Sequence, residues 1–416
     1  MEYNKMLLKP EGVKDFLPSE AYAKREIENK IMGVLKSWGY REVITSTLES
    51  GANYPSGVKA GLEDRIYRFF DGRGGTLVLR PDWTLPLARL ATNCLQSEPF
   101  PLRLAYQGNI FRFESPQSGK RREIFQAGGE LLGAKGALAD CEIMVLSLEA
   151  LFAVGLTDLK VCIGHTGFLN TLLQSFKVKR KIRQAIVTFL IKRDFVSLRA
   201  YVDANILEPS LKKALFHLPE LKGGRDTIYK AADLLTNPAR KDFLNNVIIL
   251  WETLAQRGFQ DNISFDFSFL RDLQYYTGFI FEIYTPSWGY PLGGGGRYDR
   301  LLEFCEHPLP AVGFALSIDY ILSLWQRKGK INRVPLHYFV GFDPSHYAQT
   351  LQEVRALRSR GYAVILDVKG LGPEEGLSRA KELGAQTFRF YCKEGLLEED
   401  LRDDLAGERE DKECKT

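Results

Sequence analysis

The sequence predicts an α+β fold, with an antiparallel sheet core, flanking helices, a helical insertion and a small C-terminal α/β domain. Three observations carry that prediction. Short β-branched and aromatic runs joined by turn residues fill the first third of the chain. A Leu-, Lys- and Arg-rich helical stretch then interrupts them before they resume. Near the end, strand, helix, strand, helix and strand alternate over about 336 to 392.

Residues 20 to 38 place Ile27, Ile31, Val34, Leu35 and Trp38 at helical spacing, with Ser19 as N-cap and Gly39 as stop. Tyr40 to Leu48 is β-branched and reads as a strand. The runs YRFFDGRGGTLVLRPDWT, LRLAYQGNIFRFE and REIFQAGGELLG follow as hairpin strands, so neighbours pair antiparallel. From about 168 to 257 the pattern is helical, broken at Pro209, Pro219, Gly223, Gly224 and Pro238, and marks an insertion. Strand character returns in NISFDFSFLRDLQYYTGFIFEIYTP, then come a glycine cluster at 293 to 296 and a helix from about Ile318 to Gln326. The core therefore spans 1 to 325. A basic stretch ending at Pro335 leads into the domain at 336 to 392, and 395 to 416 is a charged tail.

Apolar residues make 45% of the chain and charged residues 26%, which excludes disordered, collagen-like and coiled-coil classes. Lys and Arg number 56 against 52 Asp and Glu, a net +4. The segment from Gly395 holds nine acids and four bases, leaving +9 on the rest. Such a body tolerates anionic ligands without requiring nucleic acid. Six cysteines form no CxxC pair and five histidines no ligand spacing, so no metal, cofactor or disulfide framework is expected. No apolar run approaches the roughly 18 residues of a membrane span, and the N-terminus has no signal-like apolar region. The expectation is a reducing, cytoplasmic setting.

Strand alternation puts Arg112 and Glu114 on one face of the first hairpin strand, and Gln126, Gly128 and Glu130 on one face of its return. If the hairpin closes, Arg112, Gln126 and Glu130 share a surface, or simply form an exposed face with an ion pair. Gly128 and Gly129 would let a ligand approach the backbone there. Lys120, Arg121 and Arg122 at the tip could hold a phosphate or be solvated, and solvation is the default reading. Over Leu270 to Glu282, read as a strand, Arg271, Leu273, Tyr275 and Thr277 face one way and Gln274, Tyr276 and Gly278 the other. GGGG lacks phosphate-loop spacing and suits close packing next to a ligand. Asp82 and Thr84 follow an apolar strand, where an acceptor can meet an amine.

In this order the segments resemble the class II aminoacyl-tRNA synthetase core, specifically the histidyl-tRNA synthetase branch. GYREVITSTLE is similar to motif 1, FRFESPQSGKRREIFQ to motif 2, RDLQYYTGFIFE to the histidine-specific strand, and GGGGRYDRLL through AVGFALSIDY to the approach to motif 3. The resemblance implies a histidine-binding set. Asp82, where the family has Glu, with Thr84, Gln126 and Glu130, matches positions that hold the amino group or imidazole. Arg271 matches the family's catalytic arginine, Tyr276 and Tyr298 match tyrosines of the imidazole pocket, and Arg112 and Tyr275 complete the set.

The departures shape the expected function. The family's adenine sandwich of Phe and Arg reads Ile124 and Tyr320 here, and Ser46, Phe125, Ser115 and Gln274 replace a motif 1 Pro, a His, an Arg and an Asp. Histidine binding without activation is the consequence, with no catalytic residue. This pattern resembles the synthetase paralogues that serve as regulatory subunits of ATP phosphoribosyltransferase in histidine biosynthesis. That resemblance implies a short catalytic subunit as partner, histidine as effector, and a homodimer inside a hetero-oligomer. The C-terminal unit resembles an abbreviated anticodon-binding domain, and transfer RNA is not expected as a partner. An active histidine–tRNA ligase and a stand-alone histidine or tRNA sensor are the alternatives.

Overall fold

The computed structural model describes residues 9–54, 65–114, 121–235, 239–271, 275–301 and 309–403. Ser115, Lys120, Pro238, Leu273, Gln274 and the tail beyond 403 lie outside the described residues. The chain divides into two compact units: residues up to Asp15 with Ala23–Lys328, and Phe16–Tyr22 with the chain from Gly329.

Helix α1 (Pro18–Ser37) buries Ile27, Ile31 and Leu35 completely, one face set by the 3.6-residue period. Fully burying each such side chain contributes about 1.5–3 kcal/mol. Ser19 is not its cap, because the helix begins one residue earlier and Glu20 accepts from the Leu17 amide at 3.2 Å. Gly39 does stop it, at φ 79°.

The first unit is organised by a nine-stranded sheet of order β1-β5-β6-β12-β11-β10-β7-β9-β8. Its members are β1 (Arg41–Glu42), β5 (Leu102–Phe111), β6 (Glu123–Leu132), β7 (Lys160–His165), β8 (Lys222–Gly223), β9 (Ile263–Asp266), β10 (Phe279–Tyr284), β11 (Gly293–Arg297) and β12 (Ala311–Ser317). The run from β5 to β7 pairs antiparallel, whereas β1 with β5 and β7 with β9 pair parallel. A small sheet of β2 (Leu48–Ser50), β4 (Thr76–Leu79) and β3 (Arg68–Phe70) lies beside the sequence of β1. The expected strand from Tyr40 to Leu48 is therefore broken: Arg41 and Glu42 pair in β1, and Leu48 begins β2. Between them the Val43 amide donates to the Ala105 carbonyl at 2.9 Å, and the Arg80 side chain donates to the carbonyls of Thr45 and Asn109 at 3.1 and 2.7 Å.

Helices α2 (Thr84–Cys94) and α3 (Ala137–Ala153) follow β4 and β6. α3 is apolar on nearly every side and is buried accordingly. The helical stretch contains α4 (Thr166–Ser175), α5 (Arg180–Ile191), α6 (Phe195–Asn205), α7 (Pro209–His217), α8 (Arg225–Ala232) and α9 (Ala239–Gln256). His165 starts it, its Nδ1 accepting from the Phe168 amide at 2.9 Å, and burial pushes that imidazole down to about 4. The ring is neutral and serves as a cap. Helix α10 (Ile318–Arg327) closes the unit.

The second unit holds a four-stranded sheet of order β14-β13-β15-β16, from β13 (Leu336–Phe342), β14 (Val364–Leu366), β15 (Ala385–Cys392) and β16 (Gly395–Asp400). β13, β14 and β15 are parallel, joined by α11 (Tyr347–Ser359) and α12 (Pro373–Leu383). Gly395–Asp400, read from sequence as the start of a charged tail, is an antiparallel edge strand on β15. Its acids are not merely solvated, since Glu398 pairs with Arg389 at 2.6 Å.

Candidate functional site

All nine candidate residues, Asp82, Thr84, Arg112, Gln126, Glu130, Arg271, Tyr275, Tyr276 and Tyr298, line one cavity on the large sheet. The floor is β6, β12 and β11. Cross-strand register sets Gly313 opposite Glu130, Ala315 opposite Gly128 and Ser317 opposite Gln126, so the period of two delivers Gln126 and Glu130 to one face.

Glu130 is 2% exposed and sits where a side chain on Gly313 cannot exist, because a Cβ there would lie 1.5 Å from its Oε2. It accepts hydrogen bonds from the Tyr298 hydroxyl and, at 3.4 Å, from Thr84 Oγ1. Burial, reinforced by the charge of Asp82, pushes its carboxyl up to about 8 despite those two donors. Asp82, 4% exposed, accepts from the Leu85 amide at 3.3 Å through Oδ1, while Oδ2 is buried with no partner among the described residues. Burial raises its pKa, and Arg112 opposes the rise.

Two guanidiniums face these carboxylates across the cavity. Arg112 is anchored through Nε to the Pro81 carbonyl at 2.8 Å. Arg271 reaches Tyr276 Oη at 3.5 Å and Glu282 at 3.6 Å, both at the long limit of a hydrogen bond. A Cβ on Gly294 would lie 2.9 Å from Arg271 Nη1, so that glycine makes room for it. Tyr275 packs on Tyr276 at 4.9 Å between centroids and edge-on to Tyr298 at 5.8 Å.

Several sequence expectations change here. The strand read over Leu270 to Glu282 begins only at Phe279, and the preceding turn brings both Tyr275 and Tyr276 into the cavity rather than to opposite faces. Gly128 and Gly129 do not admit a ligand. A Cβ on Gly128 would meet the Phe314 carbonyl at 2.1 Å and Tyr106 Oη at 2.5 Å, and one on Gly129 would meet Leu35 and Tyr40 at 3.1 Å. The GGGG run is a central strand in which Cβ atoms would meet neighbouring carbonyls at 2.0 to 2.5 Å, which is close backbone packing beside the cavity. Arg121 is not a solvated cation but pairs with Asp319 at 2.5 Å, and Arg122 donates to the Glu114 carbonyl at 3.1 Å. Glu114 lies outside the cavity lining and pairs with Arg65 at 3.6 Å.

Sequence reasoning missed Trp83, Tyr106 and Ser317 among the lining residues. Tyr106 had a signal: it stands opposite Gly128 in the hairpin, a large ring across from a missing side chain. It stacks on Trp83 at 4.8 Å and donates to the Phe314 carbonyl at 3.2 Å.

Ile124 and Tyr320 line the other end of the cavity. Tyr320 stacks on Tyr290 at 5.8 Å and tilts against Trp288 at 5.8 Å, and Arg327 lies 4.4 Å over the Trp288 ring. Phe125 is held by its amide to Asp319 Oδ2 at 2.7 Å, with the Lys24 ammonium 3.0 Å over its ring. Among the described residues no group of acidic, His and Cys side chains is arranged to hold a metal.

Comparison with known proteins gives the family of the fold. The histidyl-tRNA synthetase family model matches residues 12–321. The ATP phosphoribosyltransferase regulatory subunit of Moorella thermoacetica is 37% identical over 384 residues, 92% of this chain and 98% of that protein. The regulatory subunit of Halothermothrix orenii is 33% identical over 93% of each chain. The crystal structure of an ATP phosphoribosyltransferase regulatory subunit/histidyl-tRNA synthetase from Bacillus halodurans superposes with a TM-score of 0.79 at 34% identity, covering 91% of this chain and 97% of that one. Histidyl-tRNA synthetase from Nostoc sp. shares the fold, with a TM-score of 0.76 at 19% identity over 98% of this chain and 99% of that one. The chain thus belongs to the histidyl-tRNA synthetase family and, within it, to the ATP phosphoribosyltransferase regulatory subunits.

Proposed function

We propose that this chain is a non-catalytic subunit that activates a short ATP phosphoribosyltransferase catalytic subunit at the start of histidine biosynthesis and binds histidine as feedback effector in the cavity. The observation that carries the reading is the enclosed, unpartnered Oδ2 of Asp82 beside Glu130. A buried carboxylate oxygen without a donor is costly, and the α-ammonium group of an amino acid supplies the donor. Two carboxylates and two guanidiniums suit a zwitterion. Arg271 offers a fork to its carboxylate, while Glu130 and Tyr298 meet a ring N–H.

The aromatic packing around Tyr320 supports loss of nucleotide binding, hence loss of aminoacylation. Regulation then follows from linkage: histidine favours one arrangement of the assembly, and a coupling of about 1–3 kcal/mol suffices for feedback. A homodimer core is part of the proposal. It is supported by the exposed apolar side chains of Ile44 and Leu48 in the segment that resembles motif 1, which a second copy would cover. The 336 to 392 unit is proposed to be an abbreviated anticodon-type domain. Its exposed acidic edge, Glu398 to Asp400, disfavours an RNA backbone. No described helix is long and apolar enough to cross a membrane, and the proposed setting is the cytoplasm, supported by free Cys94, Cys141, Cys162 and Cys392.

The test is a phosphoribosyltransferase assay on the short catalytic subunit from the same source, with and without this chain, while histidine is titrated. Activity that needs the chain and falls with histidine supports the proposal. If neither activity nor histidine sensitivity changes, the proposal fails, and histidine-dependent ATP–pyrophosphate exchange then tests the ligase alternative.

A further inference from the structure

Arg297 ends β11 and is followed directly by Tyr298, whose hydroxyl meets Glu130. Successive residues of a strand face opposite ways, and the Arg297 side chain, 7% exposed, turns away from the cavity toward α3. There all three of its nitrogens are held. Nε donates to Asp140 Oδ1 at 2.8 Å, and Nη2 donates to the Gly136 carbonyl at 3.2 Å and forms an ion-pair contact with Asp140 Oδ1 at 2.5 Å. Nη1 donates to Asp299 Oδ1 and to the Ala134 carbonyl, both at 3.1 Å. A guanidinium held at every nitrogen keeps one geometry.

That geometry governs both partners of the Tyr298–Glu130 hydrogen bond. Ala134 and Gly136 belong to the loop leaving β6, the strand that carries Glu130, and Gly136 adopts φ 82° to aim its carbonyl. The Arg297 carbonyl accepts from the Thr277 amide at 2.8 Å, just after Tyr275 and Tyr276. Thr277 Oγ1 accepts from the Asp299 amide at 3.1 Å, and Asp299 Oδ1 accepts from the Ala311 amide at 3.0 Å. Gly278 leaves room for the Arg297 stem, since a Cβ there would lie 3.1 Å from it.

We infer that Arg297, held by Asp140, is a positioning residue: it sets Tyr298 against Glu130 from the far side of the sheet and so determines how the cavity grips a ring that offers an N–H. This rests on the reading of the cavity as a histidine pocket. A buried ion pair is weak evidence for stability but fixes geometry, and geometry is what a two-hydrogen-bond grip needs.

The test is calorimetric titration of histidine into the full chain between pH 6.5 and 9, for the unmodified protein, Arg297→Lys and Asp140→Asn, with circular dichroism checking the fold. Lys keeps the charge but not the fork. Glu130 is faced by Asp82, Thr84, Tyr106, Tyr275, Tyr276 and Tyr298, of which the Tyr298 hydroxyl lowers its pKa. The expected result is an affinity loss of about tenfold for Arg297→Lys, smaller for Asp140→Asn, with the midpoint of the pH profile moved upward in both. Unchanged affinity, or a loss without a moved midpoint, overturns the inference and leaves Arg297 a structural residue. If Arg297→Lys does not fold, Asp140→Asn decides by the same two readings. Failure of the unmodified chain to bind histidine would defeat the pocket reading instead, so the two failures are distinct.

Discussion

Glu130 and Ile124 lie on the same strand six residues apart, roughly 20 Å at strand rise, yet the two ends of the cavity they mark are built differently. At the Glu130 end, carboxyl groups are buried with incomplete partners: among the described residues Asp82 Oδ2 has none, and the guanidinium of Arg271 has long contacts to Tyr276 and Glu282. At the Ile124 end, Arg121 is paired with Asp319 and Tyr320 is stacked on Tyr290, and the buried polar atom without a partner there is the indole Nε1 of Trp288. Unsatisfied buried groups hold free energy that a ligand can release, whereas satisfied ones offer a ligand little. On the proposed function, the Glu130 end is the one that binds a ligand and the Ile124 end, occupied by stacked rings, is the one that does not.

The comparison is tested most severely at Gly313. Gly313→Ala places a methyl 1.5 Å from Glu130 Oε2, and with the Gly129 carbonyl at 2.9 Å behind it, the carboxylate must leave its position. Histidine affinity is expected to fall more than about 100-fold, with thermal unfolding showing that the fold survives. Retained affinity would mean that the cavity does not use Glu130. Glu130→Ala is expected to weaken histidine by about 1.5–3 kcal/mol, roughly 10- to 150-fold, the cost of leaving a buried N–H of the ligand without its partner. An unchanged calorimetric constant would move histidine to another surface.

How far the sequence led differs along these same two ends. The β5–β6 hairpin was legible because alternation over ten residues leaves one register in which Gln126 and Glu130 share a face. Tyr275 and Tyr276 were assigned by the same rule to opposite faces, and the rule failed because the chain there is a turn, where side-chain period is not two. The departures at Ile124 and Tyr320 were legible, but not what packs around them. The stack of Tyr320 on Tyr290 joins residues thirty apart through tertiary packing that no local pattern encodes. The Arg297–Asp140 pair, 157 residues apart, is hidden for the same reason.

A smaller effect concerns protons. An unfolded Glu titrates near ~4.3, whereas Glu130 in the empty folded chain holds its proton to about 8. The folded chain binds more protons across that window. This group's contribution to stability is therefore complete below ~4.3 and is lost progressively as pH rises toward 8. Asp140, raised by burial to about 6 with Arg297 opposing, acts in the same direction at lower pH. Between pH 6.5 and 8 the melting temperature of the ligand-free chain should decline, and Glu130→Gln, neutral throughout, should flatten that decline. An identical slope in the variant would show that Glu130 is ionised at neutral pH and that the carboxylate end is wetter than its burial indicates.

The smallest expected effect lies at the other end. ATP is expected to bind the unmodified chain poorly, because neither Ile124 nor Tyr320 can reproduce a Phe and Arg sandwich and Tyr320 already has Tyr290 on one face. Restoring the pair with Ile124→Phe and Tyr320→Arg supplies a ring and a guanidinium, and a cation–π contact is worth about 0.5–2 kcal/mol, so affinity should rise roughly 2- to 30-fold. The gain is limited because Tyr320→Arg also frees Tyr290 and Trp288, whose rings then need a new arrangement. Tight ATP binding before any substitution would erase the difference between the two ends: the cavity would then be a complete synthetase site, and the chain would have to be assayed as a ligase.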